Sequence, residues 1–89
     1  MSTLERTKQV VAECLGEDVG EIRAESRLVP DLGAQSMELL ELAFLLEREF
    51  GVPLEVDELI PDVREHGRAL LERLTVADIA AVLDAKLAH

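Results

Sequence analysis

The stretch from residue 31 to residue 50 reads DLGAQSMELLELAFLLEREF, and it predicts the central element of the fold. Turn-forming residues end at Ser36, where a strongly periodic apolar run begins. Five apolar residues of this run recur at i, i+3, i+4, i+7 and i+11, which is one face of a helix. They are Leu39, Leu42, Ala43, Leu46 and Phe50. We therefore predict a helix from Ser36 to Phe50, which Gly51 ends and Pro53 prevents from continuing.

Two further helices are predicted near the ends of the chain. Ser2 and Glu5 have the spacing of a capping box, and apolar residues at helical spacing follow until Gly16. The first helix should therefore span about Thr3 to Leu15. Thr75 begins a similar cap, and a second stripe follows to the C-terminus. Its members are Val76, Ile79, Ala80, Leu83 and Leu87.

Residues 16–35 lack a sustained period and contain several helix-breaking residues, so we predict a long loop. Loops of this length are uncommon in small domains and are usually functional. Four spaced apolar side chains should hold the loop on the core: Ile22, Leu28, Val29 and Leu32.

The region from Leu54 to Leu74 is the least regular part of the pattern. We expect a short helical turn near Val56 to Ile60, a bend at Pro61, and a second amphipathic helix from about Val63 to Leu74. The 89 residues then form one domain, residues 1–89, with an all-α fold. The expected architecture is a small four-helix bundle with an extended third-helix region.

Composition limits the possible partners. The chain has 19 acidic and 9 basic residues, a net charge of −10. Nucleic acid and anionic membranes are therefore poor partners, because binding them requires Lys and Arg opposite the phosphates. A basic protein surface is the natural partner, since opposite fields accelerate association.

Few other residues suggest chemistry. Cys14 is the single cysteine, so an internal disulfide is impossible, and we expect it to be a small buried residue. His66 and His89 have no neighbours at metal-ligand spacing, and no metal site is predicted. No signal peptide or membrane span is predicted either, so we expect a cytoplasmic protein. We also expect a monomer.

Ser36 is the main candidate for chemistry. Free backbone N–H groups and the positive end of the helix dipole favour a phosphate at the start of a helix. Two interpretations are open: the serine carries a phosphate group, or it only caps the helix, since serine is a favoured N-cap residue.

The residues around Ser36 resemble the acyl carrier protein family, whose attachment motif reads Asp-Leu-Gly-x-Asp-Ser-Leu. Here Asp31, Leu32 and Gly33 match, while Gln35 and Met37 replace the aspartate and the leucine of the motif. The resemblance extends over about residues 4–87, except between Leu54 and Leu74, where this chain has about ten more residues than we expect. It implies that Ser36 carries 4'-phosphopantetheine through a phosphodiester, with Asp31, Gly33 and Gln35 as motif residues. Gln35 leaves open which transferase loads the domain.

The resemblance implies a carrier and not an enzyme. Such a protein holds acyl intermediates as thioesters on the arm and presents them to enzymes of fatty-acid, polyketide or specialised lipid biosynthesis. The implied partners are a phosphopantetheinyl transferase and acyl- or ketosynthase-type enzymes with basic docking surfaces. Two alternatives remain: an aminoacyl or peptidyl carrier protein, and a non-covalent helical interaction module in which Ser36 is only a cap.

An acidic surface on the second helix is the candidate docking face. Residues 31–62 contain nine acids and one base. The candidate docking residues are Met37, Glu38, Leu40, Glu41, Phe44 and Glu47. An ordinary solvated helix face is the alternative, although it does not explain Leu40 and Phe44, which the core face does not need.

An apolar interior could shelter an acyl chain, because each buried methylene contributes about 0.8 kcal/mol. The candidate lining residues are Leu42, Leu46, Ile60, Ile79 and Leu83. Residues 63–74 carry three arginines and could form a recognition element or a lid over this chain. Alternatively, these arginines pair with the acids of the protein itself.

Overall fold

The computed structural model describes residues 2–55 and 72–88. Within these ranges three α-helices carry the fold: α1 (Thr3–Leu15), α2 (Ser36–Phe50) and α3 (Val76–Leu87). A short 3₁₀ helix, Val19–Glu21, lies in the loop between α1 and α2. The described residues contain no strand beyond one isolated bridge, so this part of the chain agrees with the predicted all-α class. The expected helices between Val56 and Leu71 lie outside the described residues.

The helix ends follow the local chemistry of the sequence. The Ser2 hydroxyl accepts a hydrogen bond from the backbone N–H of Glu5 at 3.1 Å, which satisfies one free donor of α1. Gly16 and Gly51 end α1 and α2 in the left-handed conformation, at φ 70° and 68°. Glycine adopts this conformation without the steric cost of a Cβ atom. The predicted bounds of α1 and α2 are therefore confirmed.

The core lies where α1 packs against both α2 and α3. The predicted inner face of α2 is confirmed, since all five of its apolar residues are buried. From α3, Val76, Ile79, Ala80 and Leu83 join them. Leu87, the last member of the predicted stripe, lies in the helix as expected but is 43% exposed. Leu87 is the last residue of α3, where the described chain offers no further element to cover it.

The loop between α1 and α2 packs on the core as predicted. Ile22 and Leu28 are buried, and Val29 and Leu32 are half-buried against the core cluster. Leu54 and Leu74, at the two borders of the undescribed segment, are also buried. Leu74, at the end of the expected amphipathic helix, thus packs on the core, whereas Leu70 and Leu71 lie outside the described residues.

Candidate functional site

Ser36 is the first residue of α2, at the end of the long loop. Gln35 precedes it as the N-cap residue, with an extended backbone at φ −101° and ψ 166°. The Glu38 carboxylate accepts a hydrogen bond from the backbone N–H of Gln35 at 2.9 Å. An acidic side chain in the first turn also interacts favourably with the helix dipole. Glu38 thus fixes the point at which the loop becomes a helix.

Asp31 organises the turn before Ser36. Its carboxylate accepts hydrogen bonds from the backbone N–H of Arg27 at 2.8 Å and from the Arg27 guanidinium at 3.2 Å. These hydrogen bonds, followed by the nearby charge of Arg27, lower the pKa of Asp31. The side-chain hydrogen bond and the charge of Asp31 in turn raise the pKa of Arg27. The described structure therefore gives this motif residue a structural role: it closes a turn of the loop.

Gly33 redirects the chain toward α2. Its φ of +71° lies in the left-handed region, and its N–H donates to the Val29 carbonyl at 3.0 Å. The next N–H, that of Ala34, donates to the Leu28 carbonyl at 2.9 Å. A residue with a Cβ atom would be strained at this φ, which explains the glycine of the motif.

The same loop is attached to the start of α3. The N–H of Leu28 donates to the Leu74 carbonyl at 2.9 Å, and the N–H of Val76 donates to the Ser26 carbonyl at 3.0 Å. These bonds form an antiparallel bridge between Arg27 and Thr75. The loop that leads to Ser36 is therefore held at its middle by α3, which places the start of α2 relative to the core.

The residues on both sides of Ser36 are exposed. Gln35 is exposed, and the Met37 side chain is 81% exposed. Because both neighbours are exposed, they leave room for a bulky group at the residue between them. The first turn of a helix also presents backbone N–H groups that favour a phosphate. The local structure fits a phosphodiester-linked prosthetic group at this position.

A second feature is the outward face of α2. Leu40 and Phe44 are 60% and 58% exposed, and together with Met37 they form an apolar strip along the helix. Glu41 and Glu47 are exposed on either side of this strip. Three large apolar side chains on one solvent-facing strip are characteristic of an interaction surface more than of an ordinary solvated helix.

Two glutamates of α2 are engaged within the protein. Glu38 is half-buried and caps the helix, as described above. Glu49 accepts a hydrogen bond from the Arg6 guanidinium at 3.2 Å, and its backbone carbonyl accepts another from Arg6 at 2.9 Å. Arg6 also lies over the Phe50 ring, 4.2 Å from its centroid. The glutamates of α2 are thus not equivalent, and Glu41 and Glu47 are the more available pair.

The proposed acyl-chain residues come together in the core. Leu42, Leu46, Ile79 and Leu83 are all fully buried, and they belong to one apolar cluster. Ile60, the fifth candidate, lies outside the described residues. A separate groove of about 270 Å³ lies between α1 and α2, lined by Val10, Glu13, Leu45, Arg48 and Glu49. Three of its five side chains are charged, so it is less suited to an alkyl chain than the core cluster is.

Cys14 is half-buried, not buried as expected. Its thiol lies 3.5 Å from the Glu38 carbonyl, to which it donates a hydrogen bond. Burial, followed by the nearby Glu41, Glu38 and Glu13 carboxylates, raises the pKa of this thiol. A raised pKa disfavours the reactive thiolate, so Cys14 has a packing role.

Two arginines that organise the site were not predicted from the sequence. Arg27 and Asp31 are four positions apart, and this spacing alone could have suggested their pairing. Arg6 and Glu49 are 43 residues apart, and no local pattern connects them. In the described ranges no group of acidic, histidine and cysteine residues could hold a metal ion, and no helix is long and apolar enough to cross a membrane.

Comparison with known proteins agrees with this geometry. A family model described as the phosphopantetheine attachment site matches residues 5–83. The chain is 38% identical over 58 residues to the acyl carrier protein of Solidesulfovibrio magneticus, a match that covers 65% of this chain and 74% of the relative. It is 40% identical over 58 residues to the acyl carrier protein of Nitratidesulfovibrio vulgaris, covering 65% and 76% of the two chains.

The chain belongs to the acyl carrier protein family. It is a carrier and not an enzyme, and its prosthetic group is covalently attached 4'-phosphopantetheine. Its partners include a phosphopantetheinyl transferase and biosynthetic enzymes.

Proposed function

We propose that Ser36 carries the phosphopantetheine arm and that the domain presents acyl thioesters to enzymes of fatty-acid, polyketide or specialised lipid biosynthesis. The supporting observation is the position of Ser36 at the start of α2, between two exposed residues and directly after the turn built by Asp31 and Gly33. The family match spans this whole region.

Attachment requires one bond exchange at Ser36. The hydroxyl oxygen bonds to the phosphate that bears the pantetheine arm, the pyrophosphate of coenzyme A breaks, and adenosine 3',5'-bisphosphate leaves. The transferase takes the hydroxyl proton. When bound, the arm supplies a terminal thiol that holds the acyl group. The chain itself supplies an exposed, firmly anchored helix start.

Mass spectrometry tests the attachment site. Incubation with coenzyme A and a broad-specificity phosphopantetheinyl transferase should add one arm to the wild-type chain and none to Ser36→Ala. Ser2→Ala is the matched control, because Ser2 is also found at a helix start and its hydroxyl caps α1. Loading of Ser36→Ala, or absence of loading in the wild type, would contradict the proposal.

The outward face of α2 serves, in this proposal, as the docking surface. Met37, Leu40 and Phe44 provide its apolar centre, and Glu41 and Glu47 attract basic residues of the partner. Glu38, the sixth candidate, contributes by holding the helix start in place. Gln35 affects which transferase is accepted, since it removes a charge next to Ser36.

The buried cluster of Leu42, Leu46, Ile79 and Leu83 is the proposed shelter for the acyl chain. Entry of a chain requires α2 and α3 to separate locally, and several buried methylenes, at about 0.8 kcal/mol each, could offset that cost. We further propose a single cytoplasmic, monomeric carrier domain. In this proposal the third helical element of the four-helix bundle falls in the region from Leu54 to Leu74, most of which lies outside the described residues.

A further inference from the structure

One basic residue interrupts the acidic outward face of α2. Arg48 lies one helical turn after Phe44 and two turns after Glu41, so it shares their side of the helix. Its side chain is exposed. The face therefore has an acidic and apolar body and a single positive charge near its C-terminal end.

The helix itself offers Arg48 no partner. Residues three and four positions away on a helix are neighbours, and at these positions Arg48 has Leu45, Phe44, Gly51 and Val52, none of which is acidic. Glu49 is already engaged by Arg6. Arg48 also lines the groove between α1 and α2 together with Glu13 and Glu49. Among the residues that the structure describes it forms no ion pair with either of them, so its charge remains available to another molecule.

We propose that the enzyme that loads Ser36 meets this face with a surface of mixed charge, in which an acidic residue lies opposite Arg48 and basic residues lie opposite Glu41 and Glu47. This inference rests on the proposed docking role of α2. A uniformly basic partner surface would place like charge against Arg48, which costs affinity and disfavours that partner. Arg48 then determines both the direction in which the enzyme lies along α2 and which transferase is accepted.

The loading enzyme is the appropriate partner because it must reach Ser36 itself. Enzymes that act later can work at the end of the arm, whereas the transferase meets the chain before any arm is present. Arg48 lies twelve residues after Ser36, about 18 Å along the helix axis. A typical interface of about 800 Å² per partner is roughly 30 Å across. An interface of this size that begins at Ser36 and extends along α2 therefore covers Arg48.

The direction in which a charge reversal at Arg48 changes the rate of loading tests this proposal. We would measure kcat/KM for loading with coenzyme A and a purified broad-specificity phosphopantetheinyl transferase, using wild type, Arg48→Glu and Arg48→Ala at low and high salt. The mixed surface predicts a fall of about fivefold to tenfold for Arg48→Glu, a smaller fall for Arg48→Ala, and a smaller difference at high salt. A uniformly basic enzyme surface predicts the opposite, faster loading of Arg48→Glu.

Arg23→Glu is the matched control. It makes the same change of net charge on an exposed side chain of the loop between α1 and α2, which contacts Glu25 at 4.0 Å. It should load like wild type, and an equal fall in this variant would overturn the proposal by showing a general charge effect. Thermal melting identifies a purely structural role, because Arg48 also lies favourably in the last turn of α2. A lower melting temperature with unchanged kcat/KM would assign Arg48 to helix stability alone.

Glu41→Lys separates this inference from the proposed function. If Glu41→Lys slows loading while Arg48→Glu loads as fast as wild type or faster, the docking role of α2 stands and the mixed surface is overturned. If neither variant changes kcat/KM, the docking role and the mixed surface both fail. The attachment of the arm to Ser36 is judged separately, by the mass of the product.

Discussion

Helices α2 and α3 are similar in length and begin differently. At the start of α3 the Thr75 hydroxyl accepts a hydrogen bond from the Asp78 N–H at 3.1 Å, and the Asp78 carboxylate accepts one from the Thr75 N–H at 3.0 Å. The backbone of Thr75 is also paired with Arg27 of the loop. α2 also begins with a capping box, in which Gln35 and Glu38 take part, but the residues on both sides of Ser36 are exposed.

The outer surfaces of the two helices differ as well. The single large apolar side chain exposed on α3 is Leu87, at its last turn, whereas α2 exposes Met37, Leu40 and Phe44 along its length. A start that is bridged to the loop by backbone hydrogen bonds contributes stability to the fold. A start that is exposed and continues into an apolar strip is accessible to an enzyme. We therefore assign a mainly structural role to α3 and a mainly functional role to α2.

The largest effect should come from Leu28, which lies in the loop that holds the start of α3. Leu28 is fully buried, and Leu28→Ala should destabilise the domain by about 2–5 kcal/mol through lost burial and a residual cavity. Thermal melting measures this loss. Val19→Ala, at an exposed site of the same loop, is the control and should change stability by less than about 0.5 kcal/mol. Equal melting temperatures for the two variants would contradict the anchoring role of this loop.

Charge reversal on α2 should have the next largest effect, on rate and not on stability. Glu41→Lys combined with Glu47→Lys should slow loading by the transferase about tenfold at low salt, which corresponds to about 1.4 kcal/mol. The slowing should shrink as salt increases, because exposed charges are screened. The kinetics are compared with Glu5→Lys combined with Glu17→Lys, which changes the net charge equally at exposed positions on and just after α1. A similar slowing in both variants would leave α2 with no special role.

Removal of the caps should distinguish the two helix starts more finely. Thr75→Ala loses the acceptor for the Asp78 N–H and should cost about 1 kcal/mol. Thr75→Ser keeps the hydroxyl and should retain most of the stability. Gln35→Ala should cost less, a few tenths of a kcal/mol, roughly, because glutamine is a weaker N-cap residue than threonine and the Glu38 half of the capping box remains. Urea unfolding measures the loss of unfolding free energy in each variant. An equal loss for Thr75→Ala and Gln35→Ala would contradict the expected difference between the two helix starts.

The smallest effect should be a pH dependence at Asp31. Arg27 lowers the pKa of Asp31 in the folded protein, so the ionised carboxylate contributes stability above its unfolded pKa. This contribution is lost as the pH falls through the folded pKa. Asp31→Asn should therefore lower the melting temperature slightly at pH 7. The difference should vanish at the lowest pH at which both proteins still melt cooperatively; a difference that persists there has a cause other than ionisation.

Several elements of the fold and the site were predictable because their causes are local. The ends of α1 and α2 follow from caps, glycines and Pro53, all of which act within a few residues. The buried face of α2 follows from the 3.6-residue period, and so does the exposed strip of Leu40 and Phe44. The motif around Ser36 is likewise contiguous in sequence.

The features that sequence alone left undetermined depend on contacts between distant residues. The pairing of Arg27 with Thr75 and of Arg6 with Glu49 joins parts of the chain more than 40 residues apart. These contacts show which glutamates of α2 are engaged and which are available. No local pattern carries this information, since it arises only when α1, α2 and α3 pack around one core.

The sequence by itself determined where each helix begins and which face it buries, because backbone capping and hydrophobic period are local. The tertiary structure alone decided what holds the Ser36 loop and which charges of α2 remain available to a partner, because those depend on the distances between elements.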